Sequence, residues 1–188
     1  VSTMDGFSPR ARESVCPGGG SSGASCCSCW PWPQALVRLH DLHQHHERLW
    51  QALTDPAFTR RYWNTEFHTD WTAGSTMTWD NHGIRIADPE QVVLESEPYR
   101  RLSYTWHTFV PELGEKFGWS EERRETLAAE PRSKVTFEIE DLGQQVKLTV
   151  IHDGFEPGST ALEMVSEGWP QVLSGLKTLL ETGETLPA

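Results

Sequence analysis

Beyond residue 29 the chain contains no cysteine. No disulfide framework can therefore support the body of the protein, which fits a reducing setting such as the cytoplasm. No apolar run approaches the ~20 residues that a membrane-spanning helix needs. No 7–15-residue apolar stretch follows the early arginines, so a secretory signal is not expected. Basic side chains are scarce. Sixteen Lys and Arg stand against 27 Asp and Glu, for a formal charge of −11, and a nucleic-acid partner, which needs clustered cations, is not expected. There is no Gly-rich phosphate loop and no Gly-x-Ser-x-Gly element. Paired carboxylates for hydrolysis are also missing, because Glu138, Glu140 and Asp141 fall on an outer strand face or in a turn.

What is present is 188 residues, enough for one domain with a real core. Tryptophan is over-represented, with nine copies. The charge is unevenly spread. Residues 1–48 carry four basic and four acidic side chains, so the whole −11 falls on residues 49–188. All four cysteines (Cys16, Cys26, Cys27, Cys29) sit in a Gly/Ser/Pro-rich start without hydrophobic periodicity, which predicts disorder. Adjacent Cys26-Cys27 followed by Cys29 is poor geometry for a structural zinc, and no metal is expected there. His40, His43 and His46 could meet in i,i+3 pairs on a helix. They have no Cys or carboxylate companion at ligand spacing, and a polar helix extension is the better reading.

From Glu47 the pattern becomes regular. Leu49, Trp50 and Leu53 share a helical face. Thr54-Asp55-Pro56 stops that helix and caps a second, which runs to about Trp63. Alternation predicts strands over 71–80, 84–86, 91–97, 100–108, 134–140 and 145–153. Residues 110–131 interrupt them, and within this stretch Glu121 to Ala129 has helical composition ending at Pro131. Residues 169–182 form an amphipathic helix with Pro170 in its first turn and Gly183 at its end. About six antiparallel strands with one apolar face need a cover, and that last helix is the one element long enough to provide it. The expectation is an α+β two-layer fold.

Several blocks carry a family resemblance. They are Glu47 to Pro56, Arg61-Tyr62-Trp63, Arg101 to Trp106, Ser133 to Phe137, His152-Asp153-Gly154-Phe155 and Ser166 to Pro170. In this order they resemble the SRPBCC (START-like, helix-grip) superfamily, and more narrowly its bacterial branch known as activator of heat-shock-protein-90 ATPase homologue 1-like. The resemblance implies one domain over 46–187, with a curved antiparallel sheet wrapped around a long C-terminal helix and a cavity for an apolar small molecule. It implies no cofactor and no settled catalytic residues.

Strand phase directs Met77, Trp79, Tyr104, Trp106, Phe137, Leu148, Val150 and His152 toward that cavity, with Trp169 and Leu173 from the helix. His152 is the polar member of the set. It either takes a structural hydrogen bond, near Tyr104 or a backbone carbonyl, or orients a ligand or moves a proton. His107 is out of phase and expected to face solvent. Three functions follow: a binding module for a small apolar molecule, acting as a monomer or weak homodimer; an aromatase/cyclase- or dehydratase-type enzyme using His152; and a co-chaperone acting through its surface. The 110–131 insertion, with Phe117 and Trp119, reads as a lid over the cavity mouth or as a solvated surface helix.

The helix-grip fold starts with a strand just before the first helix. Here Val37 to His46 holds that place and shows no strand pattern. Read one base forward, permitted codons for these residues give Phe-Val-Tyr-Met-Thr-Tyr-Ile-Ser-Thr-Thr, an alternating strand. Residues 1–45 are therefore expected to be a non-native segment left by a frameshift, and the first strand's place beside the sheet is expected to be empty or badly filled.

Overall fold

The computed structural model describes residues 34–42 and 46–186. Asp55 is extended and its side chain accepts from the Ala57 amide at 2.8 Å. Pro56 follows at the first helical position, where its missing N–H costs nothing. This junction separates α1 (His46–Thr54) from α2 (Pro56–Trp63). Beyond α2 come β2 (Thr65–His68), β3 (Thr76–Asn81), β4 (Ile84–Glu97) and β5 (Arg101–Trp106). The insertion holds two helices, α3 (Pro111–Lys116) and α4 (Glu121–Ala129). The hairpin β6 (Ser133–Asp141) and β7 (Val146–Asp153) leads to the long helix α5 (Thr160–Thr182).

These strands and β1 (Ala35–Leu42) form a seven-stranded antiparallel sheet in the order β1-β7-β6-β5-β4-β3-β2. The first strand's place is thus filled, contrary to expectation. β1 pairs with β7 from Ala35 opposite His152 to Leu39 opposite Leu148, then shifts register and ends with Leu42 opposite Val146. Backbone pairing asks little of the side chains at a sheet edge. Ala35 is buried, Leu36 exposed and Val37 half-buried against the core, an alternation that the apolar Leu36 hides in the sequence. His40 therefore belongs to a strand and not to a helical extension, while His43 and the cysteine-bearing residues 1–33 lie outside the described residues.

Three further differences have physical causes. The two short strands expected around Asp88-Pro89 are one strand. The ladder runs through Ala87 opposite Thr78 and resumes at Val92 opposite Thr76, so Pro89 sits in a bulge where no amide is needed. β2 was too short to stand out as a period. The last helix begins nine residues earlier than expected, because Ser159 caps it by accepting from the Leu162 amide at 2.9 Å and Pro170 lies in its interior.

The core lies between the inner face of the sheet and α5. Leu173, Leu176 and Leu180 of α5 join Trp169 against Val135, Phe137, Leu148 and Val150, all buried. Gly175 lets α2 come close: a Cβ there would stand 3.2 Å from the Tyr62 carbonyl oxygen. The insertion is tied to the same helix. Leu127 is fully buried with Phe155 and Ala161. The Glu130 carboxylate accepts from the Thr160 amide at 2.7 Å and the Ala161 amide at 3.2 Å, and also takes the Ser159 hydroxyl. An anion at a helix N-terminus satisfies otherwise orphaned amides and meets the positive end of the dipole. At its other end Lys116 Nζ donates to the His82 carbonyl at 2.5 Å. Replacing Glu130 by Ala should lower stability by about 1–2 kcal/mol. A urea midpoint that falls with unchanged slope is the expected readout, and an unmoved midpoint would mean the cap is idle.

Candidate functional site

All ten residues directed inward are buried; nine fall into one apolar cluster between sheet and helix, and His152 joins it through the Trp106 ring. Met77 and Trp79 come from β3, Tyr104 and Trp106 from β5, Phe137 from β6, Leu148, Val150 and His152 from β7, and Trp169 and Leu173 from α5. The centre is aromatic. Trp79 stands edge-on to Trp106 and to Phe67, both at 4.8 Å between ring centroids. Trp106 reaches Trp169 at 5.6 Å and His152 at 4.9 Å, and Phe137 reaches Trp169 at 5.8 Å.

Four members of this centre are not among the residues directed to the cavity by the sequence, although Tyr62 and Trp63 stand in one of the resemblance blocks. Trp63, the last residue of α2, stacks on Trp106 at 5.6 Å and leans on Trp169 at 5.3 Å. Phe67 belongs to the four-residue strand β2, whose buried Thr65 and Phe67 are the period-2 signal that was available. Trp71 comes from the loop after it and packs on Phe67 and Tyr104. Tyr62 donates its hydroxyl to the Ala52 carbonyl at 3.1 Å. Trp63 and Trp71 are helix-end and loop residues, and no periodicity marks such positions.

His152 is fully buried and both ring nitrogens are engaged. The Trp169 indole N–H donates to Nδ1 at 3.2 Å. An indole nitrogen can only donate, so Nδ1 is the acceptor and the neutral ring carries its proton on Nε2. That proton goes to the Ser133 hydroxyl at 2.8 Å, and Ser133 donates in turn to the Trp106 carbonyl at 3.2 Å. Burial pushes the His152 pKa down to about 3. The ring is a neutral connector joining β5, β6, β7 and α5, with no nitrogen left for a substrate proton. Its partners are Ser133 and Trp169, where Tyr104 or a backbone carbonyl had been expected. His107 is half-buried instead of solvent-facing, and burial, then the nearby Arg132 charge, lower its pKa.

The remaining polar atoms of the centre differ in their satisfaction. Burial holds the Tyr104 phenol pKa well above 10, so the hydroxyl stays protonated and able to donate. The Trp79 indole nitrogen is buried with no hydrogen-bond partner. Among the described residues no group of three His, Cys, Asp or Glu could hold a metal, and no Asp, Glu, Lys or Arg is buried in the core.

The His152 geometry fixes a pH dependence. In the unfolded chain this histidine takes a proton near pH 6.5, whereas in the fold it stays neutral to about 3. Its stabilising contribution is complete above pH 6.5 and declines as pH falls toward 3, by about 1.4 kcal/mol per pH unit. His152→Gln should lose that slope. Urea midpoints for wild type and variant between pH 6.5 and 4.5 should converge as pH falls, and parallel curves would contradict the assignment.

The family described as Activator of Hsp90 ATPase homolog 1-like protein matches residues 44–181. No curated protein matches the chain. Among solved structures, protein MLL2253 from Mesorhizobium loti is similar at 24% identity and a TM-score of 0.62, over 79% of this chain and 97% of that one. The Aha1 dimer from Colwellia psychrerythraea is similar at 17% identity and a TM-score of 0.59, over 80% and 98%. DynU16, a putative protein in the dynemicin biosynthetic locus, is similar at 19% identity and a TM-score of 0.57, over 81% of this chain but 48% of that one. At these identities the likeness establishes the helix-grip architecture.

Proposed function

Because the chain belongs to the Activator of Hsp90 ATPase homolog 1-like family, we propose that it is a binding protein for a small apolar molecule. The ligand is held between the inner face of the sheet and α5, against Met77, Trp79, Tyr104, Trp106, Phe137 and Trp169. The observation that carries this reading is the Trp79 indole N–H. It is buried without a partner among aromatic rings, while the ring N–H groups of His152, Trp169 and Trp71 are satisfied. A buried donor without an acceptor costs stability, and a ligand oxygen or nitrogen would supply what is missing. Leu148, Val150 and Leu173 give the apolar walls. In this reading the protein works in the cytoplasm, as a monomer or weak homodimer, without a cofactor.

The enzyme reading, with His152 as acid or base, has no free ring nitrogen to use. The co-chaperone reading rests on the family link. N-phenyl-1-naphthylamine, an uncharged apolar dye, should bind saturably at one per chain. Trp79→Ala and Trp106→Ala, which remove ring faces from the site, should each weaken it several-fold. Uptake without stoichiometry that neither change alters would contradict the reading.

A further inference from the structure

The loop between β2 and β3 carries an aromatic side chain in a conformation that its backbone resists. Trp71 has φ +58°, the left-handed region, which is a true outlier for a bulky residue. Such a conformation persists where its surroundings over-determine it. Here they do. The Asp70 carboxylate accepts from the Thr72 amide at 2.8 Å, and the Ser75 amide donates to the Thr72 carbonyl at 2.9 Å. The Gly74 amide donates to the Val93 carbonyl at 2.8 Å, and the Val93 amide returns a bond to the Ser75 carbonyl at 2.9 Å. The turn is held at both ends, and Trp71 projects from it.

The Trp71 indole is half-buried, so one part of it meets solvent. The rest packs on Phe67 at 6.0 Å and on Tyr104 at 6.1 Å, two rings of the aromatic centre. Its N–H donates at 2.9 Å to the carbonyl of Thr54, the last residue of α1. That carbonyl has no helical partner. The amide four residues on, that of Phe58, donates to Asp55 instead. A single ring therefore does two things: it covers the aromatic centre, and it satisfies an orphan carbonyl at the end of α1.

We propose that the Trp71 indole is a displaceable plug that occupies the outer part of the binding site. The ligand that replaces it is a planar, uncharged aromatic carrying an N–H or O–H donor. This rests on the ligand-binding reading above and specifies its ligand. An entering ring takes over the faces of Phe67 and Tyr104, and its donor takes over the Thr54 carbonyl. Displacement is a rotation of the side chain alone, on a turn whose backbone stays held by its own hydrogen bonds. The ligand is uncharged because the buried polar residues include no ion to pair with it, and His152 is neutral and fully engaged.

The test uses indole and 1-methylindole, which match in shape and differ in the donor, on the full chain. The Trp71 N–H resonance, identified by its loss in Trp71→Phe, is followed in proton–nitrogen spectra. Indole should shift it saturably and bind up to about tenfold more tightly than 1-methylindole, the effect of one hydrogen bond. Trp71→Ala, with the plug removed, should bind indole more tightly than wild type. If that variant fails to fold, Trp71→Phe, which lacks the tether to Thr54, should show the same direction. Equal binding of the two probes, or saturation by indole with the Trp71 resonance unmoved, would overturn the plug. So would binding of indole by the variants and not by wild type. If N-phenyl-1-naphthylamine binds wild type in that case, the broader reading stands without the plug. If neither the dye nor indole binds wild type, both fall.

Discussion

The Trp169 indole N–H, donating to Nδ1 of a fully buried His152, fixes the long helix on the sheet at a defined rotation and depth. Hydrophobic burial alone is not directional. Leu173, Leu176 and Leu180 would be nearly as well covered with α5 turned by part of a residue. The bond from α5 to β7, continued through Ser133 to the Trp106 carbonyl, removes that freedom and selects one tautomer of the ring. It also sets Trp169 against Trp106 and Phe137, and with them the shape of the aromatic centre. A neutral imidazole serves here as a bolt, and burial, which depresses its pKa, keeps it neutral.

Around the bolt the interior is made of large rigid rings in edge-on and tilted pairs. Such pairs gain from their quadrupoles beyond simple burial. Broad rings also tile a concave surface poorly, and in the proposed reading it is among them, between the sheet and α5, that a flat molecule is held. The polar inventory limits what such a molecule can be. The centre offers donors, the Trp79 indole and the Tyr104 phenol, and no ionised side chain. The insertion adds a clamp on the starting end of α5 through Glu130 and Leu127, so the helix is held at its N-terminus as well as along its buried face.

Much of this was legible in the residues. Strand phase alone placed Met77, Trp79, Tyr104, Trp106, Phe137, Leu148, Val150 and His152 on one buried face, because a period of two leaves no freedom once one face is covered. The Asp55-Pro56 boundary read correctly for the same local reason that it forms. What could not be read depends on tertiary placement. Leu36 masks the alternation of β1, whose edge position tolerates it. Pro170 looks like a helix start, yet Ser159 begins the helix earlier. Trp63 and Trp71 lie at a helix end and in a loop, and reach the centre through chain path and not through period.

The central claim is that a small molecule enters the space between the sheet and α5. Proton–nitrogen spectra of the tryptophan indoles during a titration with N-phenyl-1-naphthylamine test it most directly. The account predicts saturable one-to-one shifts of the Trp79, Trp106 and Trp169 resonances, with that of Trp119 on the insertion unmoved. Shifts confined to Trp119, or dye fluorescence that rises while the three core indoles stay in place, would contradict it.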